Sequence, residues 1–139
     1  MQMDWILLVE DNAKDVALIK HQLEDNRILH KLVVVRDGAE ALQLLLDTGQ
    51  NSGLETRSNL PEVILLALLQ SKVDSLEVLR LMRKNKKSAV VPVVIMTSSN
   101  EEEDIAGAYQ NSYCGNIRKP VNFSKLKNVT QSLGLHWLT

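Results

Sequence analysis

Trp5-Ile6-Leu7-Leu8-Val9-Glu10-Asp11-Asn12 is the stretch on which the fold turns. Five apolar residues run without a polar break, and two acids and an asparagine end the run. A strand with one wet face alternates in polarity, whereas a strand buried on both faces reads as one continuous apolar run. Beyond the acids, Val16, Ile19 and Leu23 recur at helical spacing. The same succession repeats along the chain. Leu32-Val33-Val34-Val35 is a second apolar run, stopped by Asp37-Gly38 and followed by a helical pattern at Ala41, Leu42, Leu45 and Leu46. Val63-Ile64-Leu65-Leu66 is the third run, with Leu76, Leu79, Arg80 and Arg83 at helical spacing behind it. Residues 90–96 contain the fourth run, and a helix is expected from near Glu101. A weak fifth strand near Asn116-Ile117 precedes a last helix over residues 123–133.

Continuous apolar strands alternating with amphipathic helices predict an α/β fold with a parallel sheet covered on both faces. Five strand-helix pairs joined by right-handed crossovers give an open, doubly wound, five-stranded parallel sheet. In such sheets ligands gather at the carboxyl ends of the strands, near the switch in strand order. The residues just after each strand therefore carry the functional signal.

Composition bounds the answer further. The chain has 139 residues, 45% of them hydrophobic and 24% charged, which predicts one domain over residues 1–139, with a core over about 5–135 and no output domain. Sixteen Lys and Arg stand against seventeen Asp and Glu. That near-neutral balance gives no electrostatic ground for binding nucleic acid or an anionic membrane. Cys114 is the single cysteine, so neither an internal disulfide nor a cysteine-built zinc cage is expected. No apolar run reaches the roughly 18 residues of a membrane span, and Met1-Gln2-Met3-Asp4 lacks a basic leader. A cytoplasmic setting is expected. Residues 48–59 are polar and rich in Gly and Ser, and they read as a long connecting loop.

After the first strand stand Glu10 and Asp11. Adjacent acids there suit a hard divalent cation such as Mg²⁺, although a polar turn capping the next helix is the plainer reading of an acidic pair alone. Thr97-Ser98-Ser99 follows the fourth strand and offers hydroxyls, and Lys119-Pro120 follows the fifth. Acids, a hydroxyl and a lysine around one crevice would make a site for a metal and an anion.

With these turns in view, the chain resembles the response-regulator receiver domains of two-component signalling. The resemblance rests on residues 6–12, on Val35-Arg36-Asp37-Gly38-Ala39-Glu40-Ala41-Leu42, on Pro61-Glu62 with the third run, on residues 92–98 and on Lys119-Pro120. The acidic opening, the loop at 48–59 and the ending Leu135-His136-Trp137-Leu138 further resemble the single-domain regulators associated with bacterial phytochromes. The resemblance implies a phosphoryl group passed from a kinase histidine to an aspartate after strand three. Mg²⁺ would assist it, together with a hydroxyl and a lysine that neutralise phosphoryl charge. It also implies a sensor histidine kinase, or another signalling protein, as partner.

Carried over residue by residue, Glu10 and Asp11 match the metal acids, Thr97 the hydroxyl and Lys119 the lysine, but the phosphoacceptor position falls on Ala67. A methyl group neither accepts a phosphoryl group nor ligates a metal. Phosphotransfer is therefore expected to be lost, and Mg²⁺ binding by Glu10 and Asp11 to be weak. Leu69, Ser71, Ser75 and Asn116 also depart from the pattern, the last at the position of the aromatic switch residue. Two accounts of Ala67 stand open: a natural pseudo-receiver, or a working regulator inactivated by an engineered Asp-to-Ala change at position 67. Several departures around one site favour the first. Asp74-Ser75-Leu76-Glu77 reads as a capping box rather than as a substitute acceptor.

The remaining signals are blander. Arg80, Arg83, Lys84, Lys86 and Lys87 sit where cations favour a helix C-terminus, and residues 101–104 put acids in a first turn. His21, His30 and His136 lack short ligand spacing, which argues against a metal centre built from them. Trp137 must pack on its own domain or in a partner. The resembling regulators dimerise through the face of helix four, strand five and helix five, which nominates Trp137, Tyr109 and Phe123 as interface residues of a homodimer.

Overall fold

The structure, a computed structural model, describes residues 4–46, 60–68 and 75–135. Strands β1 (Trp5–Val9), β2 (Lys31–Val35), β3 (Val63–Ala67), β4 (Val93–Thr97) and β5 (Cys114–Arg118) form one sheet. Every neighbouring pair is parallel, in the order β2-β1-β3-β4-β5. Helices α1 (Ala13–Asp25), α2 (Gly38–Leu46), α3 (Ser75–Lys84), α4 (Asn100–Gly107) and α5 (Phe123–Ser132) alternate with them. This is the doubly wound α/β sheet that the alternation predicts.

The apolar runs explain the order of burial. All residues of β3 and β4 are buried, and these strands occupy interior places in the sheet. The edge strand β2 leaves Val34 exposed. The first crossover runs from β1 to β2, whereas the next three run the opposite way, so right-handedness places α1 and α2 on opposite faces. Packing agrees. Helices α2 and α3 lie against each other, while the Phe123 amide donates to Gln22 Oε1 at 2.8 Å and ties α5 to α1. Ile19 and Leu23 of α1 and Ala41 and Leu45 of α2 enter the core at the helical spacing read from the sequence, whereas α3 buries Val78, Leu79 and Met82, of which the sequence reading named only Leu79.

Caps fix where helices begin. Asn12 Oδ1 accepts from the amides of Lys14 and Asp15, Ser99 Oγ from Glu102, and Asn122 Oδ1 from Lys125. The Asn12 cap starts α1 directly above the end of β1 and points the first turn at the strand's carboxyl end.

Boundaries differ from the sequence reading in two places. The fourth strand starts at Val93, because Pro92 lacks a ladder donor and Val90 is 56% exposed in the preceding turn. The fifth strand begins at Cys114, two residues before the expected Asn116-Ile117; Cys114 and Gly115 are both buried. Gly115 is needed there. A Cβ on it would lie 2.8 Å from Val129 Cγ2 of α5. Valine is stiff at χ1 and yields little. Gly115→Ala should therefore lower stability by about 1–3 kcal/mol, read as a lower urea midpoint at unchanged slope. The proposed loop at 48–59, the Asp74 cap, Leu69, Ser71 and Trp137 lie outside the described residues.

Candidate functional site

The switch in strand order falls between β1 and β3, and the carboxyl ends of β1, β3, β4 and β5 meet beside it. Val9 pairs with Leu66, so Glu10 stands level with Ala67; Ala67 pairs with Met96, one residue before Thr97. Lys119 follows β5, its amide donating to Thr97 O at 2.8 Å. Register thus brings Glu10, Ala67, Thr97 and Lys119 to one crevice, as the sequence analysis expects.

Glu10 is the group that organises it. Its residue is 1% exposed, and a carboxylate so buried requires a countercharge. Lys119 Nζ lies 2.8 Å from Glu10 Oε1 and donates to Asp15 Oδ2 at 2.8 Å. The approach to Oε1 is an ion pair out of line for a conventional hydrogen bond, and among the described residues Oε1 has no hydrogen-bond partner. Oε2 accepts from the Asn12 amide at 3.1 Å. Burial alone lowers the Lys119 pKa, but the hydrogen bond to Asp15 and the close carboxylates of Glu10 and Asp15 outweigh it, and the net shift is upward. The ammonium is thereby held firmly charged.

Asp15 was not singled out from the sequence. It looks like one more acid in a first helical turn, where the helix dipole favours it. The cap at Asn12 delivers it to Lys119. A capping asparagine directly after a strand-terminal acid pair was the available signal.

The other candidate residues divide. Asp11 is exposed. Thr97 is fully buried, and its hydroxyl donates to Ile117 O at 3.3 Å. Asn116 is half-buried and donates through Nδ2 to Gln110 Oε1 at 3.0 Å, across to the segment after α4. Ser75, one of the departures, is buried, and its hydroxyl donates to the carbonyl of Ala67. Tyr109 is 40% exposed. Phe123 is buried within its own chain at 9% exposure, so it offers little surface to a second protein, contrary to the interface expectation. Arg83 is also more than a dipole partner. Its guanidinium donates to the carbonyls of Ala89, Val91 and Tyr113 and stands 5.9 Å from the Tyr113 ring. Burial pushes the Cys114 thiol above its ordinary pKa, which makes it a poor nucleophile. A groove lined by α3, Tyr109 and Cys114 contains none of the crevice residues.

The donor set can be compared with what Mg²⁺ requires. That ion takes octahedral oxygen ligands, with one or two carboxylates and several waters. Here Ala67 contributes a methyl, Asp11 is exposed, and the Lys119 ammonium already sits on Glu10. Among the described residues this set does not fit a tightly held Mg²⁺.

The family model described as the response regulator receiver domain matches residues 6–131. Response regulator Rcp1 of Synechocystis sp. is 34% identical over 133 residues, spanning 96% of this chain and 88% of Rcp1. A structure of Rcp1 in a Mn²⁺-bound form superposes with a TM-score of 0.67 at 32% identity, covering 94% of this chain and 90% of that one. The bacteriophytochrome response regulator AtBRR superposes with a TM-score of 0.85 at 37% identity, over 100% of this chain and 98% of that one. The phosphorylated cyanobacterial phytochrome response regulator RcpA gives 0.69 at 34% identity, over 96% and 91%.

Proposed function

The chain belongs to the response regulator receiver domain family, close to phytochrome-associated regulators, and from that premise we propose that it signals as a pseudo-receiver, by protein contact and without aspartyl phosphorylation. The observation that carries this reading is Ala67 at the end of the central strand, level with Glu10 and beside Thr97 and Lys119. A buried acid, a hydroxyl and a lysine have counterparts there in Glu10, Thr97 and Lys119, but the nucleophile's place holds a methyl. An acyl phosphate needs a carboxylate oxygen to attack phosphorus, and the two acids that meet Lys119 are both engaged. Glu10 is buried against Lys119, and Asp15 is engaged with the same ammonium.

Lys119 supports the reading in a second way. In a phosphoryl site a lysine neutralises the incoming charge. Here two carboxylates already neutralise it, so the crevice is electrostatically closed without ligand. Weak residual Mg²⁺ binding at Glu10 and Asp11 belongs to the same reading. Family members interact with sensor kinases or other signalling proteins, and the face of α4, β5 and α5 is the proposed contact surface here. Ile105 and Tyr109 are each 40% exposed and Tyr113 is 44% exposed on or next to α4 and β5. That face would seat either a kinase or a second copy of the chain.

Incubation with acetyl phosphate and Mg²⁺, followed by intact-mass measurement, should leave the chain unmodified. A phosphoryl adduct would overturn the reading. The retained Glu10, Thr97 and Lys119 also suit the second account, a working receiver inactivated by one engineered change at position 67.

A further inference from the structure

Three residues far apart in sequence stand immediately before three adjacent strands. Asp4 precedes β1, His30 precedes β2 and Glu62 precedes β3. Parallel register aligns them, since Trp5 pairs with Lys31 and Ile6 with Val63. The backbone extends that alignment: the Lys31 amide donates to Asp4 O at 3.1 Å, and the Glu62 amide to Trp5 O at 2.8 Å. The three side chains therefore converge at the amino end of the sheet, opposite the crevice. His30 Nε2 hydrogen-bonds Glu62 Oε1 and lies 3.9 Å from Asp4 Oδ2. All three donor atoms lie within 4.8 Å of one another.

One imidazole nitrogen faces two carboxylates. A single N–H can be aimed well at only one acceptor, which leaves the second carboxylate beside the first with like charge. A divalent cation among the three removes that conflict. It takes the Nε2 lone pair and one oxygen from each acid. The donor chemistry selects the ion. One imidazole and two carboxylates suit Zn²⁺, whereas Mg²⁺ prefers oxygen alone. Tetrahedral Zn²⁺ places its ligand atoms about 3.4 Å apart, from bond lengths near 2.0–2.2 Å. The present spacing, within 4.8 Å, is near that value, and the three side chains stand just before neighbouring strands of one sheet. The His30 side chain is 20% exposed and that of Asp4 71%, so the site has a fixed inner ligand and an open side for a water. We propose that Asp4, His30 and Glu62 form a zinc-class cation site on the amino edge of the sheet, independent of the phosphoryl crevice.

The experiment is calorimetric titration of the intact chain with Zn²⁺ alone, paired with NMR of the histidine imidazoles. One ion per chain is expected, with the His30 resonances shifted. Loss of a mere outer-shell partner weakens metal sites about 10–100-fold, so His30→Gln and Glu62→Gln should each weaken binding by about tenfold or more. His21→Gln, which touches only the separate His21–Asp25 pair on α1, should leave binding unchanged. Should His30→Gln fail to fold by circular dichroism, Glu62→Gln decides. Unmoved His30 resonances at saturating zinc, or unweakened binding in Glu62→Gln, would overturn the site.

Discussion

Lys119→Met should destabilise the chain by about 2–4 kcal/mol, the largest stability loss expected from any single change in the crevice. Removing the ammonium leaves Glu10, 1% exposed, as a buried carboxylate whose Oε1 then faces no countercharge. The remaining support, one hydrogen bond from the Asn12 amide, does not neutralise it. The lower part of the range for broken buried pairs applies, because the Lys119 and Asp15 side chains keep 17% and 29% exposure and water screens them in part. Urea unfolding checks it. A cycle with Glu10→Gln separates pairing from packing: the double variant should recover most of the loss, with a coupling energy of about 1–3 kcal/mol. Additive losses would mean that Lys119 contributes only its apolar stem. The pH dependence has a definite sign. The folded pKa of Lys119 is raised above its ordinary value of 10.5, so its contribution is fully present below about pH 10 and disappears as pH rises through the folded pKa. Wild type should therefore lose stability relative to Lys119→Met only in strongly alkaline solution.

The fold was legible because its signal is local and repeated. Four apolar runs each end in a polar turn and alternate with helical patterns, and a parallel sheet covered on both faces buries runs of that kind. The strand-end position of Glu10, Thr97 and Lys119 followed from the same pattern, since residues after strands have one place to be. What the sequence concealed was pairing across the fold. Asp15 looks like an ordinary helix-start acid until the Asn12 cap sets it 2.8 Å from Lys119. Arg83 looks like a dipole partner until its contacts to the carbonyls of Ser88, Ala89, Val91 and Tyr113 show it bracing the turn before β4 and the start of β5. His30 lacks short ligand spacing, and only the register of β1, β2 and β3 gives it Asp4 and Glu62. Phe123 looked like an interface aromatic because its place at the start of α5 says nothing of which way the ring turns.

Ala67→Asp should convert an inert crevice into a metal-dependent one. The new carboxylate would stand level with Glu10 and next to a lysine whose two acidic partners are already in place. Burial and like charge both disfavour its ionised form, so the variant without divalent ions should be less stable than wild type by about 1–3 kcal/mol at neutral pH. Mg²⁺ reverses that balance, because it gains a third oxygen donor and neutralises the paired acids. At about 100 times its dissociation constant it should return about 2.7 kcal/mol to the variant, seen as a rise in Tm, while wild type shifts little. With acetyl phosphate and Mg²⁺ the carboxylate oxygen can attack phosphorus as the bond to the acetyl oxygen breaks and acetate leaves, and an adduct should appear in the variant alone. The two accounts of Ala67 then part at Asn116. Its amide is tied to Gln110, and it has no ring to move inward when the Thr97 hydroxyl turns to a phosphoryl group. A pseudo-receiver should take the phosphoryl group and keep its sedimentation coefficient. A change of oligomeric state on phosphorylation would instead mark an intact switch with one residue replaced. Equal Mg²⁺ stabilisation of wild type and variant would show that the missing carboxylate is not a metal ligand at all.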